Sequence, residues 1–288
     1  MIQAILNKLF WGFLRHFMTD RQYAKTRYWL STGEILNLDR PETFSEKINW
    51  LKLYDRSDLR KLVADRVKVR DFVSGRIGEE YLIPLLGVYN ELNRDVWDSL
   101  PRQFVLKANH GSGMIRIVSN KDEENFEEVS MLTKKWQKTD YAAFGREWVY
   151  RGLRRTIIAE KLMLTEDKAV PEDYKFFCYH GKAMILQIDI GRYDEHRRML
   201  YDRNLKPLEM ELLYDKPANE PEIPLLIKEA FEVADKLSEG FNFVRVDLYL
   251  LEDKILFGEM TNFPGNGFEP FTPAHYDRYF GSLLHLHT

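Results

Sequence analysis

Apolar and polar residues recur along the chain with two periods, and each period predicts a different kind of element. Apolar side chains spaced three and four residues apart predict helices over five segments: 2–17, 46–53, 58–73, 146–155 and 224–237. The third of these helices is expected to end near Gly75. Because the helical pattern occupies most of the first hundred residues, the N-terminal part of the chain is predicted to be largely helical.

Short apolar runs with β-branched and aromatic residues predict strands that pair as antiparallel hairpins. The predicted strands are 104–108 with 114–119, 174–179 with 183–190, and 243–250 with 254–258. The first pair encloses a glycine loop and the second turns at Gly181. Helices followed by antiparallel hairpins are typical of an α+β protein.

Composition then excludes several classes of protein. The 288 residues have a formal net charge of -3, contain one cysteine and show no apolar run near the ~20 residues of a membrane span. We therefore expect no nucleic acid partner, no disulfide scaffold and no transmembrane segment. Charge is uneven, since residues 201–288 carry 16 acidic and 8 basic side chains. The basic N-terminal helix either packs on the protein or rests on an anionic membrane surface.

A glycine loop follows the first predicted strand of the first hairpin. Lys107 lies near the end of that strand, and His110, Gly111, Ser112 and Gly113 form the loop. Glycines allow backbone amides to turn toward an anion, and a nearby lysine supplies charge for a phosphate. The alternative is a flexible hairpin turn without a ligand.

Acidic side chains stand within two neighbouring apolar strands near the C-terminus. Arg245 and Asp247 share one strand face, Glu259 and Thr261 repeat that spacing on the next strand, and Asn262 follows. If the strands pair, the two carboxylates lie side by side and present the oxygen ligands that Mg²⁺ prefers beside nucleotide phosphates. The alternative is a solvated sheet face with ordinary salt bridges.

A third carboxylate, Glu160, interrupts the apolar strand 157–159. It is either a strand-end residue or an acceptor for an adenine amino group, and its spacing alone does not decide between them.

Taken in order, these segments resemble the ATP-grasp superfamily, and within it the TupA-like (teichuronopeptide-biosynthesis) family of cell-surface polysaccharide enzymes. The resemblance covers most of the chain and runs through PETFSEKINWLKLYDRS, ADRVKVR, IGEEYLIPLLGVY, FVLKANHGSG, REWVY, IIAEKLM, DYKFFCYHGK, FVRVDLY and FGEMTNFPGNGF. It implies an α+β ATP-grasp fold in which ATP lies between two α+β lobes. The expected divisions are a helical region at 1–100, a small lobe with the glycine lid at 101–165 and a C-terminal lobe with the Mg²⁺ site at 166–288.

The resemblance also implies roles for individual residues. Lys107 and the loop 110–113 would contact ATP phosphates, and Glu160 with the backbone of Lys161 and Met163 would surround adenine. Asp173 and Lys175 would reach ribose or phosphate. Mg²⁺ would be held by Asp247 and Glu259 with Thr261 or Asn262, and Arg245 would stabilise the reacting intermediate. Arg66 stands where relatives often carry a lysine.

The implied function is an ATP-dependent carboxylate–amine ligase. It would use ATP and Mg²⁺ to form an amide, through an acylphosphate, between an amino acid and a uronic acid of a cell-surface polysaccharide. The expected location is the cytoplasm, with possible contact of the N-terminal helix at the inner membrane face. The alternatives are a kinase that phosphorylates a sugar hydroxyl, a glycosyltransferase-like enzyme and a non-catalytic surface-assembly protein.

Overall fold

The computed structural model describes residues 2–191 and 195–286 of the chain. Its helices are α1 (Ile2–Gly12), α2 (Asp20–Thr32), α3 (Phe44–Tyr54), α4 (Asp58–Ala64), α5 (Lys68–Ile77), α6 (Arg94–Ser99), α7 (Phe126–Lys138), α8 (Tyr141–Gly145), α9 (Ile227–Ser238) and α10 (His275–Ser282). Helices α2 and α3 begin at capping boxes, in which a threonine and the residue three positions later bond reciprocally. In α3 these residues are Thr43 and Glu46.

A four-stranded antiparallel sheet forms the small lobe. Its strands are β1 (Leu85–Tyr89), β2 (Phe104–Ala108), β3 (Ile115–Val118) and β4 (Ile157–Lys161), and their spatial order is β1, β4, β2, β3. The hairpin of β2 and β3 confirms the pairing predicted around the glycine loop. Helix α7 packs on this sheet through the apolar cluster that contains Trp97, Phe104 and Trp136.

A five-stranded antiparallel sheet forms the large lobe. Its strands are β5 (Asp173–Tyr179), β6 (Lys182–Ile190), β7 (Arg197–Asp202), β9 (Phe243–Leu250) and β10 (Ile255–Thr261), in the spatial order β10, β9, β5, β6, β7. A separate two-stranded sheet joins β8 (Glu211–Leu212) to β11 (Phe271–Thr272). One face of the large sheet is buried under α9 and α5 by residues such as Phe176, Phe231 and Val246. Part of the opposite face packs against α3 and α10 through residues such as Phe177, Phe243 and Phe280, and the rest of it carries polar side chains.

The N-terminal helices pack onto the rest of the protein. Helix α3 lies against α10, and Phe10 of α1 is buried with Tyr23, Leu36 and Phe268. Strand β1 hydrogen-bonds to β4, so the boundary expected at residue 101 is wrong for β1, which belongs to the small-lobe sheet. The sheet to which β1 belongs depends on backbone pairing between distant segments, which no local sequence pattern indicates.

The predicted helix 2–17 ends at Gly12, and a short 3₁₀ turn follows at Leu14–His16. Two further helical predictions are wrong in detail. The segment 58–73 is divided into α4 and α5, because the Asp65 carboxylate accepts the backbone N–H groups of Val67 and Lys68 at 3.0 and 3.2 Å and begins a new helix. The segment 146–155 is not helical beyond a short 3₁₀ turn, since Arg146 takes a left-handed conformation (φ 56°) that ends α8. Both breaks place side chains at the site described below.

None of the helices within residues 2–191 and 195–286 is long and apolar enough to cross a membrane.

Candidate active site

A β-bulge in β10 brings the two candidate metal carboxylates together. Phe257 pairs with Leu248, and two residues later Glu259 pairs with Asp247, so the intervening Gly258 is the extra residue. Without the bulge, Phe257 and Glu259 would share one face of the strand. With it, Phe257 enters the apolar core while Glu259 stands beside Asp247 on the opposite face, as the predicted hairpin requires.

Cations surround this carboxylate pair. Arg245 donates two bonds to Asp247, at 2.7 and 2.6 Å, and its Nη2 lies 3.8 Å from Glu259. Burial raises the pKa of Asp247 to about 6 against the attraction of Arg245. Burial also opposes ionisation of Glu259, but the neighbouring cations, Arg66 first, outweigh it and lower its pKa to about 2. The pair is therefore held within a strongly cationic setting.

Thr261 ends β10 and Asn262 follows it, and of the two only Thr261 faces the carboxylates. The Thr261 hydroxyl accepts a bond from Arg245 at 3.1 Å and donates to Glu259 at 3.3 Å. The buried Asn262 amide instead accepts from the Arg60 guanidinium at 3.2 Å and donates to the Arg60 carbonyl at 2.9 Å. Of the two predicted alternatives, the structure therefore favours Thr261 as the metal ligand, because backbone alternation points Asn262 toward Arg60.

In the small lobe, Lys107 and Glu160 form a buried ion pair. The Lys107 ammonium lies 2.7 Å from Glu160 Oε2, and Arg70 lies 3.4 Å from Glu160 Oε1. Their strands pair so that both side chains share one face of the sheet. Beside them the Lys161 N–H is occupied by the Pro84 carbonyl at 3.0 Å. Glu160 thus positions Lys107 and Arg70.

Arg66 connects the glycine loop to the large lobe. Its guanidinium donates to the carbonyls of Ala108 and Gly111 and lies 3.2 Å from Glu259. The His110 imidazole is buried and bonded to the Trp136 carbonyl at 2.9 Å, so the structure does not place this side chain as the phosphate contact that the sequence predicts. Burial lowers the pKa of that imidazole. The exposed part of the loop is Ser112–Gly113, where Gly113 takes a φ of 73°.

Lys175 belongs to a buried network that continues across the large sheet. Its ammonium contacts Asp189 and lies 3.9 Å from Asp173. Arg198 also bonds Asp189, at 2.7 Å. Burial opposes the charge of Asp189, but Lys175 and Arg198 together hold its pKa well below the usual range. In this structure Lys175 therefore forms a buried ion pair with Asp189, and its contact with ATP is a proposal.

Asp189 and Arg198 were not selected from the sequence, although a signal was present. Gln187 and Asp189 interrupt the apolar strand β6 at a spacing of two, which places both on the polar face. Glu147 was also missed, and no local pattern marks it. It is buried near Lys52 and Glu259, and burial raises its pKa to about 7.

A cavity of about 680 Å³ opens at the polar face of the large sheet. Its wall contains Arg245, Glu259, Thr261, Lys175, Glu147 and Ser112 from the candidate site. The N-terminal helices complete the wall through Trp11 and Arg27. Hereafter we call it the site cavity. Its volume lies in the range of small-molecule binding sites.

The donor set of the site fits Mg²⁺ bound together with phosphates. Asp247 and Glu259 supply two carboxylates and Thr261 a hydroxyl, and Mg²⁺ commonly uses one or two carboxylates plus substrate phosphates. Within the described residues no group of three or more His, Cys, Asp or Glu could hold a metal by itself. A metal here would therefore depend on ligands from the nucleotide.

Most of the chain matches the model of a known protein family. The TupA-like ATP-grasp family model matches residues 46–285. The chain belongs to the TupA-like ATP-grasp family. Membership confirms the predicted ATP-grasp fold. The match begins within α3, so α1 and α2 lie outside it.

Solved ATP-grasp ligases show a distant structural similarity. D-alanine–D-alanine ligase from Bacillus anthracis, complexed with ATP, is 16% identical with a TM-score of 0.42, and the alignment covers 71% of this chain and 55% of that one. Phosphoribosylamine–glycine ligase from Thermotoga maritima is 16% identical with a TM-score of 0.46, covering 77% and 55%. The chain thus spans little more than half the length of these two proteins. No protein of curated function matches it significantly.

Proposed function

We propose that the protein is an ATP-dependent carboxylate–amine ligase that joins an amino acid to a uronic acid during cell-surface polysaccharide biosynthesis. The observation that carries this proposal is Arg245, which bonds Asp247 and Thr261 and lines the site cavity beside Glu259. A cation held between a metal-type carboxylate pair and an open cavity suits a reaction in which negative charge develops on an acyl group.

In the proposed reaction, an oxygen of the uronate carboxylate attacks the γ-phosphorus of ATP and ADP leaves. The amine nitrogen then attacks the acyl carbon of the resulting acylphosphate, phosphate leaves, and the nitrogen loses a proton to solvent. Lys107 and Arg66 would hold the phosphates, while Arg245 would stabilise the tetrahedral oxyanion. Mg²⁺, when bound by Asp247 and Glu259, would neutralise phosphate charge.

The test is an incubation with ATP, Mg²⁺, a pool of amino acids and candidate uronic acid glycans. The proposal predicts ADP and free phosphate in equal amounts, dependent on both the amine and the glycan, and a product mass equal to both substrates less one water. Phosphate retained on the glycan would instead identify a kinase. No ADP with any pair would remove the support for a ligase.

We also propose that the protein works in the cytoplasm, where ATP is available, in peripheral contact with an anionic membrane surface. Helix α1 and the following turn expose four apolar side chains, of which Phe13 and Phe17 are 63% and 74% exposed and Leu9 and Leu14 complete the set. Lys8 is exposed on the same helix. Apolar side chains beside basic ones are typical of helices that lie in the membrane interface.

Co-sedimentation with phosphatidylglycerol vesicles tests the membrane contact. Phe13→Asp with Phe17→Asp is expected to reduce the bound fraction at least fivefold, whereas Leu225→Asp, at a fully exposed leucine far along the chain, should leave it unchanged. Equal binding by all three proteins would contradict the proposed contact.

A further inference from the structure

A second cavity lies on the outer side of the glycine loop. Its volume is about 830 Å³, and its wall is formed by the loop, helices α7 and α8, and the turn after α1. Among the described residues its lining includes Ser112 and Gly113 of the loop but none of the other proposed ATP or metal ligands. We call it the outer cavity, and it is separate from the space between the lobes.

The outer cavity adjoins the site cavity. Ser112, Tyr141 and Phe144 contribute to the walls of both. The two cavities therefore meet at these side chains, and a ligand in the outer cavity lies next to the glycine loop of the site.

Positive charge dominates the outer cavity. Its charged lining residues are Arg15, Lys135, Arg146, Arg151 and Asp140. Arg146 and Arg151 lie 2.7 and 3.6 Å from the Asp20 carboxylate, so that acid offsets part of their charge. No ion pair to Arg15 or Lys135 is found in the part of the chain that the structure describes. The cavity thus retains positive charge that its own acids do not offset.

Two aromatic rings contact the Arg15 guanidinium in the wall of the outer cavity. The guanidinium lies 5.3 Å from the Trp11 ring centre and 5.6 Å from that of Phe144, and those two rings stack on each other. The Nε atom is buried and has no hydrogen-bond partner among the described atoms. Cation–π contact with the two rings holds the guanidinium in place at the cavity wall.

We propose that the outer cavity binds the diphosphate through which the sugar acceptor is carried. This rests on the proposed ligase function for the identity of the acceptor, whereas the anion site rests on the cavity itself. A diphosphate-linked sugar can place its uronate in the site cavity and its diphosphate beside Arg15 and Lys135. The carrier is either a nucleoside or a membrane lipid, and both present the same diphosphate chemistry.

The first experiment titrates inorganic pyrophosphate into the full chain by calorimetry, with a non-hydrolysable ATP analogue and Mg²⁺ saturating the ATP site. Arg15→Gln with Lys135→Gln is expected to weaken pyrophosphate binding at least tenfold and to leave binding of the analogue unchanged. The matched control is Lys134→Gln, an exposed neighbour on α7 that does not line the cavity. Equal weakening by the control, or no weakening by the double variant, overturns the proposal.

The second experiment separates the two carriers. A uridine diphosphate sugar and phosphatidylcholine vesicles that contain a long-chain isoprenoid diphosphate are each offered to the analogue-saturated protein. Binding of either carrier that falls at least tenfold in the Arg15→Gln, Lys135→Gln variant supports the site. Additional loss with Phe13→Asp identifies the lipid as the source. Binding of neither carrier overturns the proposal.

Failure of the ligase proposal remains distinguishable, because both experiments measure binding without turnover. If the protein binds pyrophosphate through Arg15 and Lys135 but forms no amide, the anion site is supported and the ligase proposal is contradicted.

Discussion

Asn262 and Thr261, at the end of β10, are expected to respond differently to replacement: one should lose stability and the other metal binding. Asn262→Ala removes a bond from the Arg60 guanidinium and a bond to the Arg60 carbonyl, both buried. A hydrogen bond to a charged group contributes about 1.5–3 kcal/mol and a neutral one about 1 kcal/mol. We therefore expect the free energy of unfolding to fall by about 3 kcal/mol, and the melting temperature by about 6 °C for a chain of this length.

Thr261→Val is the matched substitution, for which we expect weaker Mg²⁺ binding with little loss of stability. It keeps a β-branched side chain but loses the hydroxyl that contacts Arg245 and Glu259. The free energy of unfolding should change by less than about 1 kcal/mol. The Mg²⁺ concentration needed for half-maximal binding of an ATP analogue should rise by about fivefold, which corresponds to about 1 kcal/mol.

Thermal unfolding and Mg²⁺ titration of analogue binding, applied to both variants, check the reasoning. For Asn262→Ala we expect a lower melting temperature with an unchanged Mg²⁺ midpoint. A weakened Mg²⁺ midpoint with full stability in Asn262→Ala would show that the amide, and not the hydroxyl, serves the metal.

Three further substitutions test the site. Asp247→Asn should reduce ligase turnover by about 100-fold or more, and full turnover would contradict a role of Asp247 in holding the metal. Gly258→Ala places a Cβ 3.0 Å from the Asp247 carbonyl and should weaken Mg²⁺-dependent analogue binding, whereas Gly75→Ala meets nothing within 4 Å and should not. Arg66→Lys keeps a charge near Glu259 but cannot also span two loop carbonyls, so amide hydrogen exchange in the glycine loop should increase; unchanged exchange would contradict this.

Local patterns predicted the elements better than their ends. The hairpins at 104–119, 174–190 and 243–261 follow from alternation and turn residues, and the structure pairs them as expected. Asp65 is able to cap a new helix, which is a signal for the break between α4 and α5, but the apolar spacing continues across this residue and hides the break. That break places Arg66 against the glycine loop.

Long-range contacts account for what the sequence did not reveal. Glu147 and Lys52 lie 95 positions apart, and only tertiary packing buries both near the site. Lys175 is a strand lysine by pattern, but its partner Asp189 is set by the register of β5 with β6. No local period carries such information, because register and burial depend on segments far apart in the chain.

By itself the sequence determined which residues could carry the chemistry: Lys107, Arg245, Asp247 and Glu259 are polar interruptions of apolar strands, and a strand of period two assigns each to a face. The tertiary structure decided which of them meet. The bulge at Gly258 turned Glu259 toward Asp247, and the same alternation turned Asn262 toward Arg60. The side of a strand on which a residue lies is a local property of the backbone. Which residues from different strands lie side by side depends on how the strands and lobes pack together.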